Sequence, residues 1–278
     1  MPPFSVITLV KGRKKQLENL LESIGRSTVK PQEVVVVWME EDRLDKDEIQ
    51  DVPIHQVTCE GDGLPLAKAR NLGVDTATQP ILLFLDVDCI CSPNLFDALL
   101  QQASPHTISS AGVRYLRDVP EHGNYDRLSS DAIAHPKRAN LPVGTPIDHK
   151  HFWSLVFCIH RNTFNEAGGF DDNFTGYGGE DTDFAERFTN KGCKLVMCDA
   201  EVLHQYHTKY TPPMNYVASI CENANYFAQQ HGYLPMYSWL KAFEEKQLIS
   251  LDEEAHQVAL LREPSEQELT QAFSEQPY

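Results

Sequence analysis

Two short stretches hold the side chains best placed to do chemistry. Asp86 and Asp88 close ILLFLDVD, straight after the apolar run ILLFL (81–85). Strand side chains alternate, so the two carboxylates share a face wherever extension persists to Asp88. Paired hard oxygen ligands at a strand end suit Mg²⁺ or Mn²⁺, ions commonly held by a few carboxylates plus substrate phosphates. A solvated Asp turn is the plainer alternative, and the unbroken apolar strand ahead of it favours the metal site. The second stretch, GYGGEDTDF (176–184), sets glycines beside acids. Gly176, Gly178 and Gly179 allow φ > 0 or a close approach of backbone to a bound group. FAERFTNKG then reads as a short helix, with Phe184 and Phe188 on one face and Gly192 as its stop. Glu180 and Asp181 fall where the loop enters that helix, a place whose exposed N–H groups favour carboxylates. A capped acidic turn is the structural alternative.

The elements that must position these groups alternate along the first half of the chain. SVITLV (5–10) and VVVVW (34–38) are β-branched runs of the kind buried in parallel sheets. Between them Leu17, Leu20, Leu21 and Ile24 fall at helical spacing, with Gly25 as the expected C-cap. IHQVT (54–58) reads as a third strand, LAKARNLGVDTA (66–77) as a helix and ILLFL as a central strand. This predicts an open, mostly parallel α/β sheet flanked by helices, with ligands at the carboxyl ends of its strands. KGR, MEED and DVD follow three of the strands and supply polar groups at that edge. Residues 118–150, rich in Pro, His and Asn, read as an irregular functional loop or lid. Order resumes with FWSLVFCIH (152–160) and KLVMC (194–198), and beyond 211 the chain looks helical and acidic. No internal repeat is visible.

Composition narrows the function classes. The 278 residues suffice for one large α/β domain with an appendage. With 24 Lys and Arg against 40 Asp and Glu, the net charge of −16 argues against nucleic-acid binding. No stretch approaches a transmembrane span, and MPPFSVITLVKGR lacks the basic region of a signal peptide. Cys89 and Cys91 flank one residue, but no second pair completes a zinc site. The seven cysteines therefore read as reduced thiols of a cytoplasmic protein, compatible with peripheral membrane contact and with homo-oligomerisation.

SVITLVKGR, LAKARNLGVDTA, ILLFLDVDC and GGFDDNFTGYGGEDTDFAERF, in this order, resemble the GT-A glycosyltransferases, specifically family 2. The last segment is similar to the carboxyl-terminal motif of β-1,4-galactosyltransferases. The resemblance implies a GT-A domain over 1–210, with 1–100 binding nucleotide sugar and 101–210 holding the acceptor and catalytic parts. Residues 211–278 remain as a helical extension. It also implies inverting sugar transfer from a nucleotide sugar, UDP-linked by expectation, to a hydroxyl acceptor, with Mn²⁺ or Mg²⁺ bridging the diphosphate. By the same resemblance Asp88 binds the metal, Asp86 the ribose or metal shell, and His204 is a further ligand with His207 as its rival. Asp181 stands in the position of the general base beside Glu180. Arg13, Lys68 and Arg70 match basic positions near the diphosphate, and Glu40 is one of three acids (40–42) placed for uracil or ribose. Trp153, Tyr177, Gly178 and Gly179 fall on the acceptor side, where the family often has Trp in place of Tyr177. Two other readings stay open. A nucleotidyltransferase usually carries a glycine-rich basic loop after its first strand, where KGRKK has one glycine. A non-catalytic glycan- or nucleotide-binding relative would lack a base or a metal ligand.

Overall fold

The runs SVITLV, VVVVW and ILLFL are buried at every position, as strands covered on both faces must be. The computed structural model describes residues 1–61, 63–136 and 138–277. The first half runs β1 (Phe4–Val10), α1 (Lys14–Arg26), β2 (Glu33–Trp38), β3 (Glu48–Ile49), β4 (Val52–Thr58), α2 (Leu66–Thr76), β5 (Ile81–Leu85), β6 (Cys89–Cys91), α3 (Leu95–Gln102) and β7 (Thr107–Tyr115). It continues with α4 (Tyr125–Leu128), β8 (Ile133–Ala134), β9 (Pro146–Ile147), β10 (Val156–His160), α5 (Arg161–Glu166), α6 (Glu180–Asn190) and β11 (Lys194–His204). Beyond these lie β12 (Lys209–Tyr210), α7 (Val217–His231), α8 (Tyr237–Glu245), β13 (Ile249–Asp252), β14 (Gln257–Leu260), α9 (Glu266–Ala272) and β15 (Phe273–Ser274).

The central sheet has the order β3-β4-β2-β1-β5-β10-β7-β11-β6, with β8 on β7 and β9 on β11. β4, β2, β1 and β5 are parallel, so their carboxyl ends meet at one edge. β10 runs antiparallel between β5 and β7, and β11 is parallel to β7 but antiparallel to β6. Two expectations need correction. α1 passes through Gly25 and ends at Ser27, whose N–H reaches the Ile24 carbonyl. Gly25 instead packs against Gln50, whose Cδ would lie 3.1 Å from an added Cβ. Residues 152–155 also precede the strand, which starts only at Val156.

The segment 118–150 is fastened to the sheet and to α1. Arg114 pairs with Ala134 and Val196 with Pro146. Asn19 donates to the Pro120 carbonyl at 2.8 Å, and the Gly123 N–H to Glu22 at 2.9 Å. α6 is pinned by Phe184 and Phe188, buried among Phe152, Phe157, Phe164 and Phe170. The carboxyl-terminal extension has its own core, including Val217, Ile220, Leu240 and Phe243. It holds the β13–β14 hairpin as well as helices, and returns to the main body where Tyr210 pairs with Phe273.

Candidate active site

The chain turns after β5. The Asp86 N–H bonds the Leu155 carbonyl at 2.9 Å, and the Cys89 N–H bonds the Asp86 carbonyl at 3.0 Å. Extension therefore stops before Asp88, and the two carboxylates do not share a face through strand alternation. β6 follows at once, and its Cys89 sits opposite His204 of β11. That register carries His204 to Asp88, and the Gln205 N–H fixes the junction by donating to the Asp88 carbonyl at 2.7 Å.

Asp88, His204 and His207 form a group whose ligand atoms all lie within 4.8 Å of one another. His204 Nε2 is 3.2 Å from Asp88 Oδ1, and His207 Nε2 is 3.7 Å from Oδ2. The Arg13 guanidinium, at the start of α1, also donates to Asp88 Oδ2. Burial alone would raise the Asp88 carboxyl, but His204, Arg13 and His207 outweigh it and hold it below the usual carboxylate value. Burial lowers both imidazoles against the pull of Asp88, favouring the neutral form that binds metals. Asp88 Oδ1 and His204 Nδ1 are buried without a hydrogen-bond partner. An unpartnered carboxylate oxygen beside two imidazoles is a donor set that fits a divalent cation. Asp86 does not join this group. Burial first, then the charge of Asp88, raise its carboxyl, while Arg70 pulls the other way.

The second set of acids begins α6. Gly179 caps the helix with φ +95°, and Gly178 has φ +94°, both in the left-handed region. The glycines also admit a neighbour: a Cβ on Gly178 would lie 2.8 Å from Met236 Sδ. Asn223 of α7 holds the loop from below. Its amide donates to the carbonyls of Thr175 (2.9 Å) and Gly178 (2.7 Å), and its oxygen accepts from the Thr175 N–H. Glu180, 7% exposed, accepts from Arg70 at 3.0 Å. Arg70 is buried too, donates to Ser154 Oγ at 2.8 Å and lies over the Phe170 ring. Asp181 accepts from the Thr182 hydroxyl at 3.3 Å. Burial and the charge of Glu180 push its carboxyl up to about 7, with Arg70 opposing.

The remaining predicted residues disperse around this centre. Glu40 accepts from the Gly12 N–H, and with Lys14, Glu41 and Asp42 the two line an open cleft of about 500 Å³ at the ends of β1 and β2. Lys68 is exposed, its Nζ donated to the Glu60 carbonyl. Trp153 is half-buried with the Arg138 guanidinium over its ring at 4.4 Å. Tyr177 stacks on Tyr216 at 4.6 Å and on Trp239 at 6.0 Å, both from the extension. Sequence reasoning missed Asn223, Tyr216 and Trp239. No motif marks them, and their link to the loop exists only in three dimensions.

A GT-A α/β sheet with an acid–imidazole cluster at its carboxyl edge and an acidic pair opening a nearby helix defines the glycosyltransferase class of site. The family description "Glycosyl transferase family 2" matches residues 5–172, and "N-terminal domain of galactosyltransferase" matches 134–211. The chain belongs to glycosyl transferase family 2. It is 26% identical over 270 residues to a validoxylamine A glucosyltransferase of Streptomyces hygroscopicus subsp. limoneus, covering 86% of this chain and 59% of the relative. It is 28% identical over 148 residues to mouse polypeptide N-acetylgalactosaminyltransferase 12, covering 47% of this chain and 25% of that one. The chain thus spans only part of these relatives' length. Among solved structures, GalNAc-T7 with UDP, GalNAc and Mn²⁺ superposes with a TM-score of 0.57 at 19% identity, over 88% of this chain and 54% of that one. The mannosyltransferase PcManGT of Pyrobaculum calidifontis, with GDP-Man and Mn²⁺, gives 0.55 at 16% identity, over 88% and 69%. No helix among the described residues is long and apolar enough to cross a membrane.

Proposed function

We propose that the chain transfers a sugar, with inversion, from a UDP-linked donor to a hydroxyl acceptor, using Asp181 as the general base. The observation that carries this reading is the unequal fate of the two adjacent acids. Arg70 holds Glu180 as its ion-pair partner, whereas Asp181 forms no ion pair among the described residues and its carboxyl is pushed up to about 7. A base poised near the working pH is the best compromise between being ionised and accepting a proton. Glu180 and Arg70 position the helix start, and Glu180 then contributes to the acceptor through hydrogen bonds.

Asp88, His204 and His207 would hold the divalent cation, Mn²⁺ or Mg²⁺. When bound it neutralises charge that develops on the leaving diphosphate. Asp86, whose carboxyl feels the charges of both Asp88 and Arg70, would contact ribose or an outer metal shell. The cleft beside Glu40 suits the base and ribose, with Arg13 toward the phosphates. Residues 1–210 form the transfer domain on this reading, and 211–278 complete its acceptor side. Seven buried free thiols fit a cytoplasmic setting.

A screen of nucleotide sugars for Mn²⁺-dependent hydrolysis and transfer tests the proposal, run beside Asp181→Asn and Glu180→Gln. A UDP-sugar should be turned over by the parent and not by Asp181→Asn. Full turnover in Asp181→Asn with a dead Glu180→Gln would exchange the two roles. Turnover in both would remove the base from this stretch.

A further inference from the structure

We propose that Arg138 recognises an anionic substituent, a carboxylate or a phosphate, on the acceptor. This rests on the transferase reading and names a substrate class within it. Arg138 is only 6% exposed. Buried guanidinium groups ordinarily meet a carboxylate in a forked pair, because an unpaired buried charge is costly. No carboxylate of the described residues lies within ion-pair distance of Arg138. Among the described residues it meets the Trp153 ring, Ser110 Oγ at 3.3 Å and Met197 Sδ at 3.7 Å, and its Nε has no hydrogen-bond partner there. Burial drags its pKa down to about 10, with the Tyr115 hydroxyl pulling the other way. The charge is thus kept inside without a counter-ion from these residues.

Its position points to the acceptor. Ring contacts lead from Trp153 to His135 (5.1 Å), from His135 to Tyr115 (5.8 Å) and from Tyr115 to His204 of the metal cluster (4.9 Å). Ser110 and Met197 belong to β7 and β11, which β5 and β10 separate from the β1–β2 cleft proposed for the nucleotide. Arg138 therefore lies on the far side of β5 and β10 from that cleft. The oxyanion chemistry could equally come from the donor diphosphate, and the test separates the two sources.

Sulfate and acetate are titrated calorimetrically into the full chain, with and without saturating UDP and Mn²⁺, for the parent, Arg138→Met and Arg138→Lys. We expect the parent to bind both anions with UDP and Mn²⁺ in place. Arg138→Met should bind them about tenfold or more weakly, the size of a lost charge-assisted hydrogen bond. Arg138→Lys should recover part of that loss. Mn·UDP affinity should stay within a factor of two, and Arg138→Met should melt at the same temperature or higher, since a buried unpaired charge has gone. A tenfold loss of UDP affinity would reassign Arg138 to the donor diphosphate. Unchanged anion binding with a lowered melting temperature would leave only a structural stack on Trp153. Absence of Mn·UDP binding in the parent would count against the transferase reading alone, since the titration without nucleotide still reports on Arg138.

Discussion

The cluster at Asp88 and the acid pair at Glu180 and Asp181 are both acidic sites, but different parts of the chain hold them. Asp88 is placed by the sheet: the turn after β5, the Cys89–His204 register and the Gln205 N–H bring three candidate metal ligands together. The acid pair is placed from outside the sheet. Asn223, 45 residues beyond Gly178, ties the glycine loop to α7, and Tyr216 and Trp239 stack on Tyr177. The first arrangement suits a group that must stay rigid through turnover. The second ties the proposed base to the extension, so on this reading changes in the extension should alter transfer while donor binding stays intact.

Separating the two regions experimentally should give its largest effect at Asp88. Asp88→Ala should weaken Mn·UDP binding about 100-fold or more, since even residues behind metal ligands cost 10–100-fold. Calorimetry reads this directly, and unchanged affinity would remove the metal assignment. Asn223→Ala comes next. Losing the hydrogen bonds that hold the loop should lower kcat about 10–100-fold, the scale of a misplaced reacting group, with Mn·UDP affinity held within a factor of two. An equal fall in UDP affinity would show that the regions are one unit.

The smallest effects are in stability, and they should have opposite signs at neighbouring positions. Glu180→Gln strips Arg70 of its buried counter-charge, so its melting temperature should fall by several degrees. Asp181→Asn should do the reverse. A carboxyl raised from 3.8 to about 7 on folding favours the native state when protonated. That contribution is present at low pH and disappears as pH rises through about 7. Asp181→Asn should therefore melt a few degrees above the parent at pH 8 and level with it near pH 4. Matching shifts at both pH values would contradict the raised carboxyl.

The sequence makes some of this architecture plain and hides the rest for identifiable reasons. SVITLV, VVVVW and ILLFL are legible because strands buried on both faces must be apolar throughout. β7 is not, because TISSAGVRY carries buried serines whose hydroxyls bond the Leu99 and Val156 carbonyls. DVD announces an acidic site, yet its turn geometry depends on the carbonyl of Leu155, the residue just before β10 and 69 positions further along the chain. The glycines of GYGGED announce a loop that needs positive φ, but the Met236 and Asn223 that use the space lie in a different part of the chain. His204 and His207 reach Asp88 together, where the family resemblance left them as rivals.

The central claim is that Asp181 must be ionised for transfer. It is tested most directly by the pH dependence of kcat at saturating donor and Mn²⁺, which removes the titration of the metal ligands from the measurement. The parent should show a rate that rises with pH through a midpoint near 7, following the Asp181 carboxylate. Asp181→Asn should retain Mn·UDP affinity, lose about 10²–10⁴-fold in kcat and show no such rise. A parent profile flat from acid to alkaline pH, or the same limb persisting in Asp181→Asn, would contradict the claim.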